Sequence, residues 1–118
     1  MEAQPIRQVD EKDISRLVHR EFGPTMAAEV MRMLSSYGSE PWEREAMRVM
    51  AAVLKLAEGD SRQVEQFLNS ARADYRDVLA WAEYPEYMRR KPWTLSAAEG
   101  EAIVEQDWQQ YESWFTKP

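Results

Sequence analysis

Apolar residues recur along this chain three and four positions apart, the spacing of one face of an α-helix. Ile14, Leu17 and Val18 mark a first stripe, predicting a helix over 11–22. Met26, Val30, Met33 and Leu34 mark a second, over 25–37. Gly23-Pro24 separates them, a glycine past a helix end followed by a proline. Asp10 can cap the first helix, Asp13 suits its first turn, and Gly38 stops the second.

The third pattern is broader and runs from Pro41 to Gly59. Trp42, Ala46, Met47, Val49, Met50, Val53, Leu54, Leu56 and Ala57 cover about half the helical wheel, with Arg44, Glu45, Arg48 and Lys55 on the remainder. A helix apolar over half its circumference touches several neighbours, so this one is expected at the centre of a bundle. A fourth helix starts at Asp60, with Gln63 completing a capping-box-like pair. Val64, Phe67, Leu68 and Ala71 form its stripe.

Tyr75, Val78, Leu79 and Ala82 give a fifth helix, capped by Asp74 and ended by Pro85. Residues 85–95, "PEYMRRKPWTL", show no period and read as a loop. The last helix opens on "SAAE", a capping box of Ser96 and Glu99. Val104, Trp108, Tyr111 and Phe115 line one face, and Ala97 and Gly100 extend it with small side chains. No strand-like alternation interrupts this series. The fold class is therefore all-α, a single compact bundle of five to six helices over 1–118, with 1–9 as a flexible N-terminus.

Composition narrows the possibilities. A chain of 118 residues suits one domain. With 44% hydrophobic residues and five tryptophans it can build a core. It has no cysteine, which removes disulfides, thiolate metal sites and cysteine nucleophiles. The polar start, "MEAQPIRQVDEKD", lacks the basic and apolar stretches of a signal peptide, and no apolar run approaches the ~20 residues that span a bilayer. A cytoplasmic location without membrane attachment is expected. The net charge of −6 disfavours nucleic acid as a partner.

Candidate chemistry centres on "DYRDVLAWAEYPEY", Asp74 to Tyr87. Asp74 and Asp77 stand where a helix start favours carboxylates, so capping explains their spacing. As a metal pair they would need further ligands, and no histidine motif supplies them. No metal or cofactor is expected. Trp81 flanks the stripe, while Arg76 and Glu83 point outward. Further on, Tyr84, Tyr87, Arg89, Arg90 and Trp93 lie close together, in residue types enriched at interface hot spots. The cations of "MRRKPW" can also grip phosphate, but a solvated loop is the plainer reading. Asp107 stands beside the aromatic stripe of the last helix. If buried it needs a partner, with Arg72 or Arg76 as candidates. His19 reads as a surface residue near a helix C-terminus. The methionines mostly fill core stripes.

Three segments together carry a resemblance: "VLKLAEGD" (Val53 to Asp60), "DYRDVLAWAEYP" (Asp74 to Pro85) and "DWQQYESWF" (Asp107 to Phe115). They resemble a family of small uncharacterised bacterial proteins with an "LKL..GD" turn, a "DYRD.L..AEYP" block and a "D..QY..WL" ending. This chain has Phe115 where that ending has leucine. The resemblance spans roughly residues 50 to 115 and implies a bacterial source and a helical fold, with no activity attached. The functional expectation is a non-enzymatic protein-interaction module or homodimer using the 81–93 segment. The alternative is a small-molecule or phosphate binder, or an enzyme, built on Arg89, Arg90, Trp93 and nearby carboxylates.

Overall fold

Helices follow one another as the stripes predict in the computed structural model, which describes residues 7–43 and 45–118. They are α1 (Glu11–Ser35), α2 (Ala46–Ala57), α3 (Ser61–Glu83), α4 (Pro85–Arg89) and α5 (Ala97–Thr116), with a 3-10 turn at Pro92–Thr94. No strand occurs among the described residues. The fold is an all-α bundle. The expectations that fall on residues 1–6 and on Arg44 lie outside the described residues.

Asp10 caps α1 by accepting from the Asp13 N–H, and the Asp13 carboxylate accepts from the Asp10 N–H in return. The predicted break after Phe22 is present as a kink. Gly23 has φ +73° and ψ 170°, a backbone conformation that strains any residue with a Cβ, and Pro24 then restarts the helix. Two apolar arms result, burying Ile14, Leu17 and Val18 before the kink and Val30 and Leu34 after it.

The third predicted helix starts later than its stripe implies. α2 begins at Ala46, not near Pro41, because Glu43 organises the preceding residues into a turn. Its Oε1 accepts from the N–H groups of Gly38, Ser39 and Glu40 at 3.0, 3.1 and 3.3 Å. Glu45 then adopts left-handed φ +56° at the N-cap, so the helix cannot extend backwards through it. Trp42 consequently leaves the core and is 62% exposed. From Ala46 onward the broad stripe behaves as expected. Val49, Ala51, Ala52, Val53 and Leu54 are fully buried, and α2 packs against both α1 and α3.

Tyr37 is buried beside this turn. Burial, followed by the Glu43 carboxylate, raises its phenol from 10.0 to about 12. The folded state therefore favours the neutral phenol. That contribution is complete below pH 10 and is lost as pH rises towards 12. Urea midpoints measured across that window should fall more steeply in the wild type than in Tyr37→Phe. Parallel curves would remove the effect.

Asp60 caps α3 through the Arg62 N–H, with no reciprocal bond to Gln63. Asp74, at φ −158° and ψ 104°, divides α3 into two arms, and its carboxylate accepts from the Arg76 N–H as the predicted cap. The bend at Asp74 is sharp. Phe67 and Trp81 would stand about 21 Å apart on a straight helix, yet their rings meet edge-on at 6.4 Å.

Residues 85–95 are not a plain loop. Pro85 opens the short α4, where its missing N–H costs nothing. The stabilising partner comes from α5: the Asp107 carboxylate accepts from the N–H groups of Glu86 and Tyr87 at 3.3 and 2.9 Å. α5 itself starts on the predicted box, with Ser96 accepting from Glu99 N–H and Glu99 accepting from Ser96 N–H. Its buried face is Gly100, Val104, Asp107, Tyr111 and Phe115.

Candidate functional site

The aromatic and basic residues singled out between 81 and 93 do not share one face. Trp81 leans on Phe67 along α3. Tyr84 turns inward, and burial followed by the Glu83 charge raises its phenol above the usual tyrosine value. The Tyr87 ring lies over Gly100 of α5, 3.7 Å from where a Cβ would stand. That is ordinary contact distance, and of the two small residues expected on this face Gly100 is buried while Ala97 is exposed. Trp81 nonetheless leaves 40% of its surface exposed, and it is Tyr87 that bridges two helices, α4 and α5.

The turn beyond α4 behaves differently. Met88 is 47% exposed and Trp93 80% exposed, flanked by the exposed side chains of Arg89, Arg90 and Lys91. Arg89 donates to Glu86 at 2.6 Å, which lowers the Glu86 carboxyl below its usual range. Lys91 holds a left-handed φ of +54° even though proline follows, a strained combination. The Thr94 N–H and hydroxyl both donate to the Lys91 carbonyl and close the turn around it. The local backbone therefore presents three cations and an indole at one projecting corner.

Inside the bundle the principal polar contact joins α2 to the end of α3. Glu83, expected to point outward, is 1% exposed. Arg48 donates to it twice, Nε to Oε2 at 2.8 Å and Nη2 to Oε1 at 2.6 Å. This bidentate pairing is the main cause of the raised Arg48 pKa. Both residues, expected as outer-face charges, instead face each other inside the bundle. Glu83 stands one turn after Leu79, at the edge of the apolar stripe, and that position was the available signal. Tyr111 lies close by with a buried hydroxyl lacking a hydrogen-bond partner, and burial raises its pKa.

The remaining candidates take structural places. Asp107 is buried, and its partners are the α4 amides, not Arg72 or Arg76. Asp74 holds Arg76 at 3.0 Å through both carboxylate oxygens, while Asp77 is exposed one turn into the same arm. His19 is exposed, and its Nδ1 bonds the Ser15 carbonyl at 2.8 Å. Among the described residues no group of three or more His, Cys, Asp or Glu side chains is placed to hold a metal ion. No described helix is long and apolar enough to cross a membrane.

A further set of contacts was hidden in the sequence. Arg16 donates to the carbonyls of Phe115 and Lys117, and Arg20 to those of Trp114 and Lys117. These α1 cations satisfy the orphan carbonyls and negative dipole end of α5. Arg7 stacks over the Phe115 ring at 4.3 Å and Arg20 over Trp114 at 4.9 Å. Arg16 and Arg20 stand four residues apart, so they share one helix face. Nothing local pointed to the far end of the chain.

The chain matches no family model, and comparison with curated proteins and with solved structures returns no match.

Proposed function

We infer that this chain is a non-enzymatic protein-interaction module of the bacterial cytoplasm, and that a second copy of itself is a partner. The observation that carries the reading is the corner at 88–93. Trp93 exposes 80% of its surface there, beside Met88, Arg90 and Lys91. An indole held in water beside cations is the composition found at interface hot spots. The exposed ion pair of Arg89 with Glu86 contributes little to stability, so Arg89 is free to turn towards a partner. Exposed acids occur within the same molecule, with Glu101 and Glu105 one turn apart on α5. Two copies related by a two-fold axis can each set the basic corner of one against the acidic helix of the other. Resemblance to the small bacterial helical proteins supports the setting and adds no activity.

Sedimentation velocity over a concentration series tests this directly. Trp93→Ala and Met88→Ala are the appropriate variants, because Tyr87 packs on α5 and its removal would disturb the fold. Trp93→Ala is expected to weaken self-association by about thirtyfold, a hot-spot loss of about 2 kcal/mol. Its stability should change by no more than about 0.5 kcal/mol. Association that is unaltered in both variants would remove this corner from the interface.

A further inference from the structure

A second surface lies where two departures from regular helix meet. The first is the turn before α2, in which Glu43 collects three backbone N–H groups. The second is the break in α3 at Asp74. Between them opens a cleft of about 570 Å³, walled by Pro41, Trp42, Arg72, Asp74, Tyr75 and Arg76. This volume is in the range of small-ligand sites.

Each wall has a chemical character. The Trp42 indole is 62% exposed and is carried on a turn fixed by a buried carboxylate. It offers an exposed aromatic face on which a flat ring can stack. Tyr75 is half-buried in the same cleft. Arg72 is held from behind: Nη2 donates to Ser36 Oγ at 2.6 Å, Nη1 to Asn69 Oδ1 at 2.7 Å, and Nε stands 3.7 Å from Glu43. Those contacts use one N–H on each Nη, leaving a second on each for another acceptor. Arg76 is exposed and joined to Asp74 in a surface ion pair, which is weak enough to rearrange. Each guanidinium has one carboxylate close by, Glu43 for Arg72 and Asp74 for Arg76, so an incoming anion meets two balanced ion pairs whose spare N–H groups it can share.

We propose that this cleft binds a small ligand combining a flat aromatic ring with an anionic group, the ring on Trp42 and the anion between Arg72 and Arg76. A nucleotide and an aromatic carboxylate both have this chemistry. The site is separate from the 88–93 corner and does not depend on self-association.

The test follows the indole N–H resonances of the full chain by NMR, with Trp42 assigned from Trp42→Phe. Adenosine 5′-monophosphate, phenylacetate, adenosine and inorganic phosphate are titrated separately. A saturable shift of the Trp42 resonance with the nucleotide or with phenylacetate is expected, and the tighter of the two identifies the source. Arg76→Gln, an exposed change that leaves the fold intact, should weaken that binding about tenfold. No saturable shift with either compound would overturn the proposal. So would adenosine or phosphate alone binding as tightly as the nucleotide, or Arg76→Gln binding like the wild type.

Discussion

Replacing Glu83 with alanine should destabilise the protein by about 3–5 kcal/mol, a large share of the stability of a domain this size. The cost arises from what is left behind. Arg48 reaches Glu83 through two charge-assisted bonds and is itself largely buried, with its side chain 19% exposed. Without the carboxylate, the guanidinium is left, among the described residues, with the looser Glu45 contact at 3.9 Å. The complementary result distinguishes this from simple loss of volume. Arg48→Met combined with Glu83→Leu removes both charges and should recover most of the loss, because a buried pair and an apolar pair of similar size are nearly equivalent. Chemical denaturation of the two single variants and the double variant measures the coupling. Additive losses would mean that the two side chains do not depend on each other.

The second large effect is expected at Phe115. This ring is buried under the Arg7 guanidinium at 4.3 Å, with Arg16 at 5.5 Å, and packs against Tyr111 and Trp114. Phe115→Ala should cost about 3–5 kcal/mol through lost burial and the cavity that remains. The loss should also be local. With the ring gone, the arginines that cap the end of α5 lose the surface that positions them. Hydrogen exchange should then accelerate most over the last two turns of α5. Uniform acceleration along the chain, or a cost below about 1 kcal/mol, would mean that the arginine–aromatic contacts do not anchor this helix.

Local signals were legible because their partners are local. The Gly23-Pro24 break, the Asp74 cap and the Ser96–Glu99 box each involve residues within three or four positions. The wide stripe of α2 likewise announced a helix touched on several sides. Misreadings arose where a distant residue decided the outcome. α4 looked like a loop because its cap, Asp107, is supplied from the next helix. Glu83 looked like an outer-face charge because Arg48 cannot be seen from its own helix. Trp42 fitted the α2 stripe, but Glu43 gathers the preceding amides into a turn and moves it out. At the candidate surface, the sequence brought together six residues of suitable type. The fold then half-buries Tyr84 and Tyr87, keeps Trp81 partly exposed against Phe67, and leaves Arg89, Arg90 and Trp93 at the corner. Sequence spacing shows which residues are near one another; only tertiary packing decides which of them face water.

The indole N–H resonance of Trp93, followed as the wild-type protein is concentrated, reports most directly on whether this corner is a contact surface. Trp93 should shift and broaden with concentration while Trp108 and Trp114, packed against the core, stay in place. Fixed resonances for all five tryptophans, or concentration-dependent shifts that spare Trp93, would contradict self-association through residues 88–93.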